Sequence, residues 1–435
     1  MALLLAILLS ILPLTSASPN LAPEPQCGRG IPPNPLTHQP QCISINAGTS
    51  PESWYPWTHR PYCVEAWTAP WCVFTNAAVP RPPHGDQRGI SVITTPERAA
   101  AAFNLAELPL EKAFSYIPSA KKIDRPPFRV EDIPGKGKGV VATKKIEKDK
   151  VIMIDHVAVL STAEYSADVT QEEVRELLFE AVERLSAPER VRGLSGRGRD
   201  RRGFLLSKEE DVLSTNSFEL PVAGWGYMGL FPELSRVNHA CRPNAHVHFS
   251  EASLAITVWS ARDIEPGEEI TISYSAVDLT YAERQKTLAD IWGFNCTCSL
   301  CTADKKVRDE SDARRLKYRN VKDELVKLSQ DGKFEQAAKL TKDFFQAADE
   351  EELTALLGDL YEFPARIFYQ LGDLEEAKRL MKRSRQEAEV WGVPGHDDQL
   401  RLENNDRVMA RLESEIAEEK KRKKRKPQVY LGKKT

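Results

Sequence analysis

Eight cysteines fall into two groups of four that differ in their spacing. The later group consists of Cys241, Cys296, Cys298 and Cys301. Because its last three members lie within six residues, one short loop can present three thiolates to an ion. A structural zinc takes four tetrahedral ligands and Cys241 is the only other late cysteine, so we predict a zinc site of all four. Metal-free buried thiols and a disulfide within the trio are alternatives, and three histidines could replace Cys241, namely His239, His246 and His248.

The earlier cysteines are widely and unevenly spaced, and they are Cys27, Cys42, Cys63 and Cys72. They follow an almost entirely apolar stretch, Ala2–Leu14, and the small residues Thr15–Ser18, a pattern typical of a secretory signal peptide with its cleavage site. The apolar stretch of thirteen residues is too short to span a bilayer. We therefore predict a signal peptide over residues 1–18, entry into the secretory pathway, and disulfides in one of three pairings.

Four short motifs follow one another between residues 135 and 301. They are Gly135-Lys136-Gly137-Lys138-Gly139, Asn238-His239-Ala240-Cys241-Arg242-Pro243-Asn244, Gly267-Glu268-Glu269-Ile270-Thr271-Ile272-Ser273-Tyr274 and Phe294-Asn295-Cys296-Thr297-Cys298-Ser299-Leu300-Cys301. The ordered set, over about residues 126–302, resembles the SET-domain family of S-adenosylmethionine-dependent protein-lysine methyltransferases. The resemblance is greatest to the SET-and-MYND group and its fungal relatives, because Asn216-Ser217-Phe218 and the C-terminal helices also fit that group.

The resemblance implies an α+β fold, in which several small β-sheets surround a C-terminal segment threaded through a loop near Asn238. It also implies transfer of methyl groups to lysines of a histone or non-histone protein, with S-adenosylmethionine as cofactor. The cofactor contacts it implies are Lys138, Asn216, Asn238, His239, Tyr274 and Phe294. In this interpretation the glycines around Lys138 let the backbone approach the cofactor; a plain glycine turn is the alternative, and the motif taken alone favours it.

Tyr274 is the predicted catalytic residue. Methyl transfer from a sulfonium needs no covalent enzyme intermediate, so the protein must supply in-line positioning and electrostatics. The attacking lysine must first lose its proton, which a nearby positive sulfonium and an apolar channel both favour. A tyrosine hydroxyl at the end of the strand Ile270–Ser273 can then orient the amine and the methyl group.

The sequence departs from the family pattern in ways that leave the substrate open. Ala240 stands where the family loop has a serine, and Arg242 where it has an acidic residue. No cysteine lies between Cys72 and Cys241, which excludes an inserted MYND zinc finger. A catalytically inactive SET fold that serves as an interaction scaffold is the alternative function.

Local patterns predict the elements that position these residues. Alternating or apolar runs predict strands, over residues 139–142, 151–154, 245–249, 254–259 and 270–273. Glu172–Leu185 has helical spacing, and Tyr281–Trp292 is a helix with a capping box at Thr280 and a glycine end at Gly293. Two similar segments, starting at Gly332 and Gly372, each resemble the turn and second helix of a tetratricopeptide (TPR) pair.

The predicted organisation follows from these observations and from composition. Residues 19–125 form a Pro/Trp/Cys-rich extension, predicted to be loop-rich because fourteen of 29 prolines lie within 19–83. The SET domain covers 126–275, the post-SET zinc loop 276–302, a helical TPR-like domain 303–419 and a basic tail 420–435. Lys420–Lys426 is a run of seven basic residues, which favours the nucleus or cytoplasm as the alternative location. The formal net charge of −3 predicts no particular partner, and we expect no specific nucleic acid or membrane contact.

Overall fold

The computed structural model describes residues 57–67, 69–78, 89–102, 126–198, 203, 205–251, 254–353, 360–391 and 396–425. The predicted signal peptide, Cys27 and Cys42 lie outside these residues. Within the described part of the chain, no helix combines the length and the apolar character that crossing a membrane requires.

Three small β-sheets form the first part of the described fold. The strands are β1 (Tyr62–Val64), β2 (Trp71–Asn76), β3 (Ile90–Thr94), β4 (Phe128–Ile133), β5 (Gly137–Ala142), β6 (Val151–His156), β7 (Val159–Thr162), β8 (Ser217–Val222), β9 (Trp225–Leu230), β10 (Asn238–His239), β11 (Ala245–Ser250), β12 (Ala255–Ser260) and β13 (Glu269–Ile272). The sheet orders are β1-β2-β3-β7-β9-β8, β10-β13-β5-β4 and β11-β12-β6. Neighbouring strands are antiparallel except for β3 with β7 and β10 with β13. Several small sheets were predicted, and the structure has them.

Residues 62–94 differ from the predicted loop-rich extension. Strand β3 lies inside the six-stranded sheet, and all five of its residues are buried. The prolines of this region do not prevent this, because Pro61 and Pro70 precede strands β1 and β2 and none lies within a strand. Cys63 and Cys72 face each other across β1 and β2 and form a disulfide. The main sheet therefore begins well before the predicted domain boundary at residue 126.

Short helices cover this β-structure. They are α1 (Pro96–Ala102), α2 (Gln171–Glu183), α3 (Pro188–Arg192) and α4 (Lys208–Asn216). Helix α2 begins with a capping box formed by Thr170 and Glu173, and its apolar stripe packs in one core with Val73 and Ile93 of the main sheet. The predicted helix at 172–185 is thus confirmed to within two residues.

The remaining described chain is helical. The helices are α5 (Tyr281–Trp292), α6 (Ser299–Thr302), α7 (Lys305–Gln330), α8 (Phe334–Glu350), α9 (Glu362–Leu371), α10 (Leu374–Trp391) and α11 (His396–Arg425). Each helix from α7 to α10 packs against the next one along the chain. Gly332 and Gly372 have positive φ values of 72° and 83°, and a helix begins two residues after each, as the paired sequence pattern predicts.

Candidate active site and cysteine centre

Four buried cysteines meet at one point. The sulfur of Cys241 lies 3.9 Å from that of Cys296 and 3.5 Å from that of Cys301. With Cys298 included, all four sulfurs lie within 4.8 Å of one another. We call this group the cysteine centre.

Helix α5 brings the three late cysteines to this point. It begins at the predicted capping box of Thr280 and ends at Gly293, whose φ of 75° turns the chain out of the helix. The side chain of Gln285 then holds the following loop by two hydrogen bonds to Cys296. Its Nε2 donates to the carbonyl of Cys296 (2.9 Å), and its Oε1 accepts from the backbone N–H of the same residue (2.8 Å). The loop is therefore fixed to α5 before Cys298 and Cys301 enter the centre.

The cysteine centre fits a tetrahedral zinc ion. Zn–S bonds of about 2.3 Å place the four sulfurs of a tetrahedral site roughly 3.8 Å apart, close to the separations seen here. Hydrogen bonding with Cys296 raises the pKa of Cys241, whereas hydrogen bonding with Cys241 lowers the pKa of Cys298 to about 5. Thiolates this close repel one another, so all four can be ionised only around a cation. The chemistry and spacing of the donor set are those of a structural metal site.

His239 connects the cysteine centre to Tyr274. Strand β10, which carries His239, pairs in parallel with β13, and Tyr274 follows β13 directly. The backbone N–H of Tyr274 donates to Nδ1 of His239 at 3.0 Å, and Nε2 lies 3.3 Å from the sulfur of Cys241. Because Nδ1 accepts, a neutral His239 carries its proton on Nε2 and donates it to that sulfur. One side chain therefore fixes the distance between the cysteines and the tyrosine.

Tyr274 lies within a cluster of aromatic rings. Its ring centroid is 5.3 Å from that of Trp292 and 6.5 Å from that of Phe294, while the ring of His239 lies 5.4 Å away. The hydroxyl donates to the carbonyl of Val237 at 2.7 Å. Burial raises the pKa of Tyr274 well above its ordinary value, so the phenol keeps its proton at neutral pH. It can position a reacting group, but it is not a phenolate base.

Asn238 joins this cluster to the glycine-rich turn. Its amide Nδ2 donates to the carbonyl of Lys138 (3.2 Å) and to the carboxylate of Glu269 (2.9 Å). The Lys138 side chain points to an exposed carboxylate, that of Asp132, at 2.8 Å. The part of Lys138 that contacts Asn238 is therefore its backbone carbonyl.

Two glycines of the turn are favoured at their positions for different reasons. Gly137, at the start of β5, has a positive φ of 70°, and a Cβ there would meet nothing within 4 Å. A Cβ on Gly139 would lie 2.5 Å from Ile133 and 2.9 Å from the amide nitrogen of Asn238. Close approach by a ligand was the sequence-based interpretation, but at Gly139 the close approach is by the chain itself. The space beside Gly137 is compatible with that interpretation.

Asn216 and Phe294 occupy different settings. Asn216 ends α4, and its amide donates to the carbonyls of Ser195 and Val212, at 2.8 Å each. None of the described hydrogen bonds connects it to His239 or Tyr274. Phe294 is 36% exposed, and its ring lies 6.3 Å from that of His239, so one face remains available to a flat ligand. The structure thus brings together Asn238, His239, Tyr274 and Phe294, and the described hydrogen bonds of Asn216 are to the backbone around α4.

Sequence reasoning missed a group of charged residues beside the cysteine centre. Arg315 is fully buried and donates to the carbonyl of Cys241 at 2.7 Å. Its spacing contained a signal, because Ser311, Arg315 and Tyr318 follow the helical repeat on the buried face of α7. An arginine at such a position must have partners inside the protein.

Comparisons with known proteins agree with this geometry. A family model of the SET domain matches residues 137–275. Histone-lysine N-methyltransferase set5 of Schizosaccharomyces pombe is 42% identical over 88 residues, which cover 20% of this chain and 28% of that protein. Histone-lysine N-methyltransferase SMYD3 of Homo sapiens is 35% identical over 103 residues, 24% of each chain. A SET and MYND domain-containing protein of Dictyostelium discoideum is 36% identical over 81 residues, 19% of this chain and 23% of its own.

The matched segments span about a quarter of the length of these relatives, so the likeness concerns a part of these proteins and not their whole length. The matched model begins at the glycine-rich turn and ends directly after Tyr274, and so includes Asn238, His239 and Cys241. On these grounds residues 137–275 match the SET domain, and the chain is similar over part of its length to SET-and-MYND and fungal Set5 proteins.

Proposed function

We propose that this protein is an S-adenosylmethionine-dependent protein-lysine N-methyltransferase. The observation that carries the proposal is the convergence of Asn238, His239, Tyr274 and Phe294 beside the cysteine centre. His239 is hydrogen-bonded both to Cys241 of that centre and to the backbone of Tyr274. The matched relatives in Schizosaccharomyces pombe and Homo sapiens are named as histone-lysine N-methyltransferases, which supports the reaction class.

Asn238, His239 and Phe294 would hold the cofactor. S-adenosylmethionine, when bound, supplies an activated methyl group on a positively charged sulfur. The exposed face of Phe294 suits adenine, and the side-chain oxygen of Asn238 can accept a hydrogen bond, because the described hydrogen bonds of this side chain use its nitrogen. The open side of the turn at Gly137 leaves room beside them for the backbone to approach.

Tyr274 would orient the lysine amine. Its hydroxyl is fixed by the carbonyl of Val237, and its oxygen still has lone pairs to accept from an incoming amine. Because the phenol is buried and neutral, the lysine proton leaves to solvent before attack, as like-charge repulsion from the cofactor sulfur favours. The chain therefore contributes position and electrostatics, not proton abstraction by tyrosinate.

The cysteine centre would hold a structural zinc ion that keeps the loop carrying Phe294 next to His239.

We propose a protein substrate, histone or non-histone, and a TPR-like role for helices α7–α10 in protein contacts. Entry into the secretory pathway is part of the proposal, and the apolar Ala2–Leu14 and the disulfide between Cys63 and Cys72 support it.

Calorimetry with S-adenosylmethionine on the zinc-loaded full chain tests the proposal, together with transfer of labelled methyl groups to core histones and to a proteome-wide protein mixture. Tyr274→Phe should bind the cofactor within about threefold of wild type yet lose about 100-fold in turnover. Tyr227→Phe is the matched control, since this buried phenol bonds Thr94 in the main sheet and should retain activity. No measurable cofactor binding by wild type would instead favour the inactive scaffold.

A further inference from the structure

A cluster of buried charges lies where helices α7 and α8 meet the cysteine centre. Glu351, which follows α8, is fully buried and accepts from three arginines. The donors are Arg315 Nε at 2.9 Å, Arg314 Nε at 2.8 Å and Arg242 Nη2 at 3.2 Å. A buried carboxylate with this many charged partners is strongly held, so the cluster fixes Arg315 in place.

Arg315 extends from this cluster to the predicted metal ligands. Besides Glu351, its guanidinium donates to the carbonyl of Cys241 at 2.7 Å and to the carbonyl of Val277. Cys241 is a cysteine of the centre, and Val277 lies three residues after Tyr274. One side chain of the helical region therefore contacts both chain segments that frame the proposed active site.

The charges of the cluster and of the centre are complementary. Three guanidinium groups share the carboxylate of Glu351, so positive charge is in excess around it. A zinc ion bound by four thiolates carries two excess negative charges. Of the three arginines, Arg315 is the fully buried one, and solvent screens its charge least.

Arg242 joins the Asn-His loop to the cluster. The family loop has an acidic residue at this position, and an acid here would face the buried carboxylate of Glu351. The arginine replaces that repulsion with an ion pair 3.2 Å long. The departure noted in the sequence is thus matched by a residue of the helical region.

We propose that Arg315 is a positioning residue that balances the charge of the cysteine-bound metal and anchors it to the helical region, so that metal retention depends on α7. This inference rests on the proposed zinc site. It predicts that loss of the Arg315 charge releases zinc, whereas loss of a neighbouring arginine that pairs with Glu351 but makes no described contact with Cys241 does not.

The test compares Arg315→Gln with Arg314→Gln in the full-length protein. Both residues lie on α7 and bond Glu351, but Arg314 makes no described contact with Cys241. Zinc content is measured by atomic absorption, and zinc release by the rate of transfer to a coloured chelator. We expect release at least tenfold faster for Arg315→Gln and within threefold of wild type for Arg314→Gln.

Arg315→Lys covers the case in which the glutamine variant fails to fold, because it keeps the charge with fewer hydrogen bonds. Its rate of zinc release should be higher than that of Arg314→Gln but less than ten times that of wild type. Equal release by the Arg315 and Arg314 variants, with one zinc per wild-type chain, would overturn the inference and leave the zinc site standing. A wild-type chain that binds no zinc would overturn both.

Discussion

Replacing Asp155 by asparagine should stabilise the protein increasingly as the pH rises from 4 to 8. Asp155 is 3% exposed, and its carboxylate accepts the backbone N–H groups of Glu233 (2.6 Å) and Leu234 (3.0 Å). These bonds fix the 3₁₀ turn Leu234–Arg236, which leads into Asn238 and His239. Asparagine keeps an acceptor oxygen for the turn but removes the buried charge.

The magnitude follows from the pKa of Asp155, which burial raises from 3.8 to about 6. Because the folded protein holds this proton more tightly than the unfolded chain, wild-type stability falls as the pH rises between these two values and is constant above them. One pKa unit corresponds to about 1.4 kcal/mol, so the charge costs about 3 kcal/mol above pH 7 and about 0.5 kcal/mol at pH 4. The asparagine variant escapes this cost, and its stability relative to wild type should therefore rise by about 2.5 kcal/mol between pH 4 and pH 8.

Urea denaturation at pH 4, 5, 6, 7 and 8, followed by circular dichroism, measures this difference at each pH. A constant cost of accommodating the amide shifts all points equally and leaves the slope unchanged. Asp132→Asn is the control, since this exposed carboxylate pairs with Lys138 on the surface and should show no comparable slope. A flat difference between wild type and Asp155→Asn across the whole range would refute the reasoning.

Two further changes test how the site is supported. Thr280→Ala removes the N-cap of α5 and should lower the free energy of unfolding, measured by urea denaturation, by about 1 kcal/mol. It should also speed zinc release, because Gln285 of that helix holds Cys296. Unchanged stability would contradict the capping role. Replacing both Cys63 and Cys72 by serine opens a loop with a sequence separation of nine residues, and should cost about 2.5 kcal/mol under oxidising conditions. The double variant should be insensitive to reductant at this site, and an equal stability of oxidised wild type and variant would argue against the bond.

The elements near the site could be predicted because their signals are local. The capping box at Thr280 and the glycine at Gly293 give the bounds of α5 as the structure has them. The strand predicted at 245–249 is β11, and the one at 270–273 overlaps β13. The spacing of Cys296, Cys298 and Cys301 likewise indicated a shared site, and the need for a fourth ligand led to Cys241.

What the sequence did not reveal depends on contacts between distant segments. Strand β3 has the β-branched composition of a strand, but its parallel pairing with β7 is a property of the whole sheet. The contact between Arg315 and Cys241 joins residues 74 positions apart, and no local pattern states which backbone carbonyl a buried arginine will reach. The role of Asn216 was inferred by resemblance alone, and its amide is committed to the backbone around α4.

The place of β3 in the main sheet bears on where the protein can be cut. The matched family model starts at residue 137, yet β1, β2 and β3 precede it and pair, through β3, with β7. A recombinant fragment beginning at 126 or 137 would lack β3, so the backbone N–H and C=O groups along that side of β7 would lose their strand partner. Such an open edge favours pairing with other chains, so a fragment should include Tyr62–Thr94, which keeps β7 paired with β3.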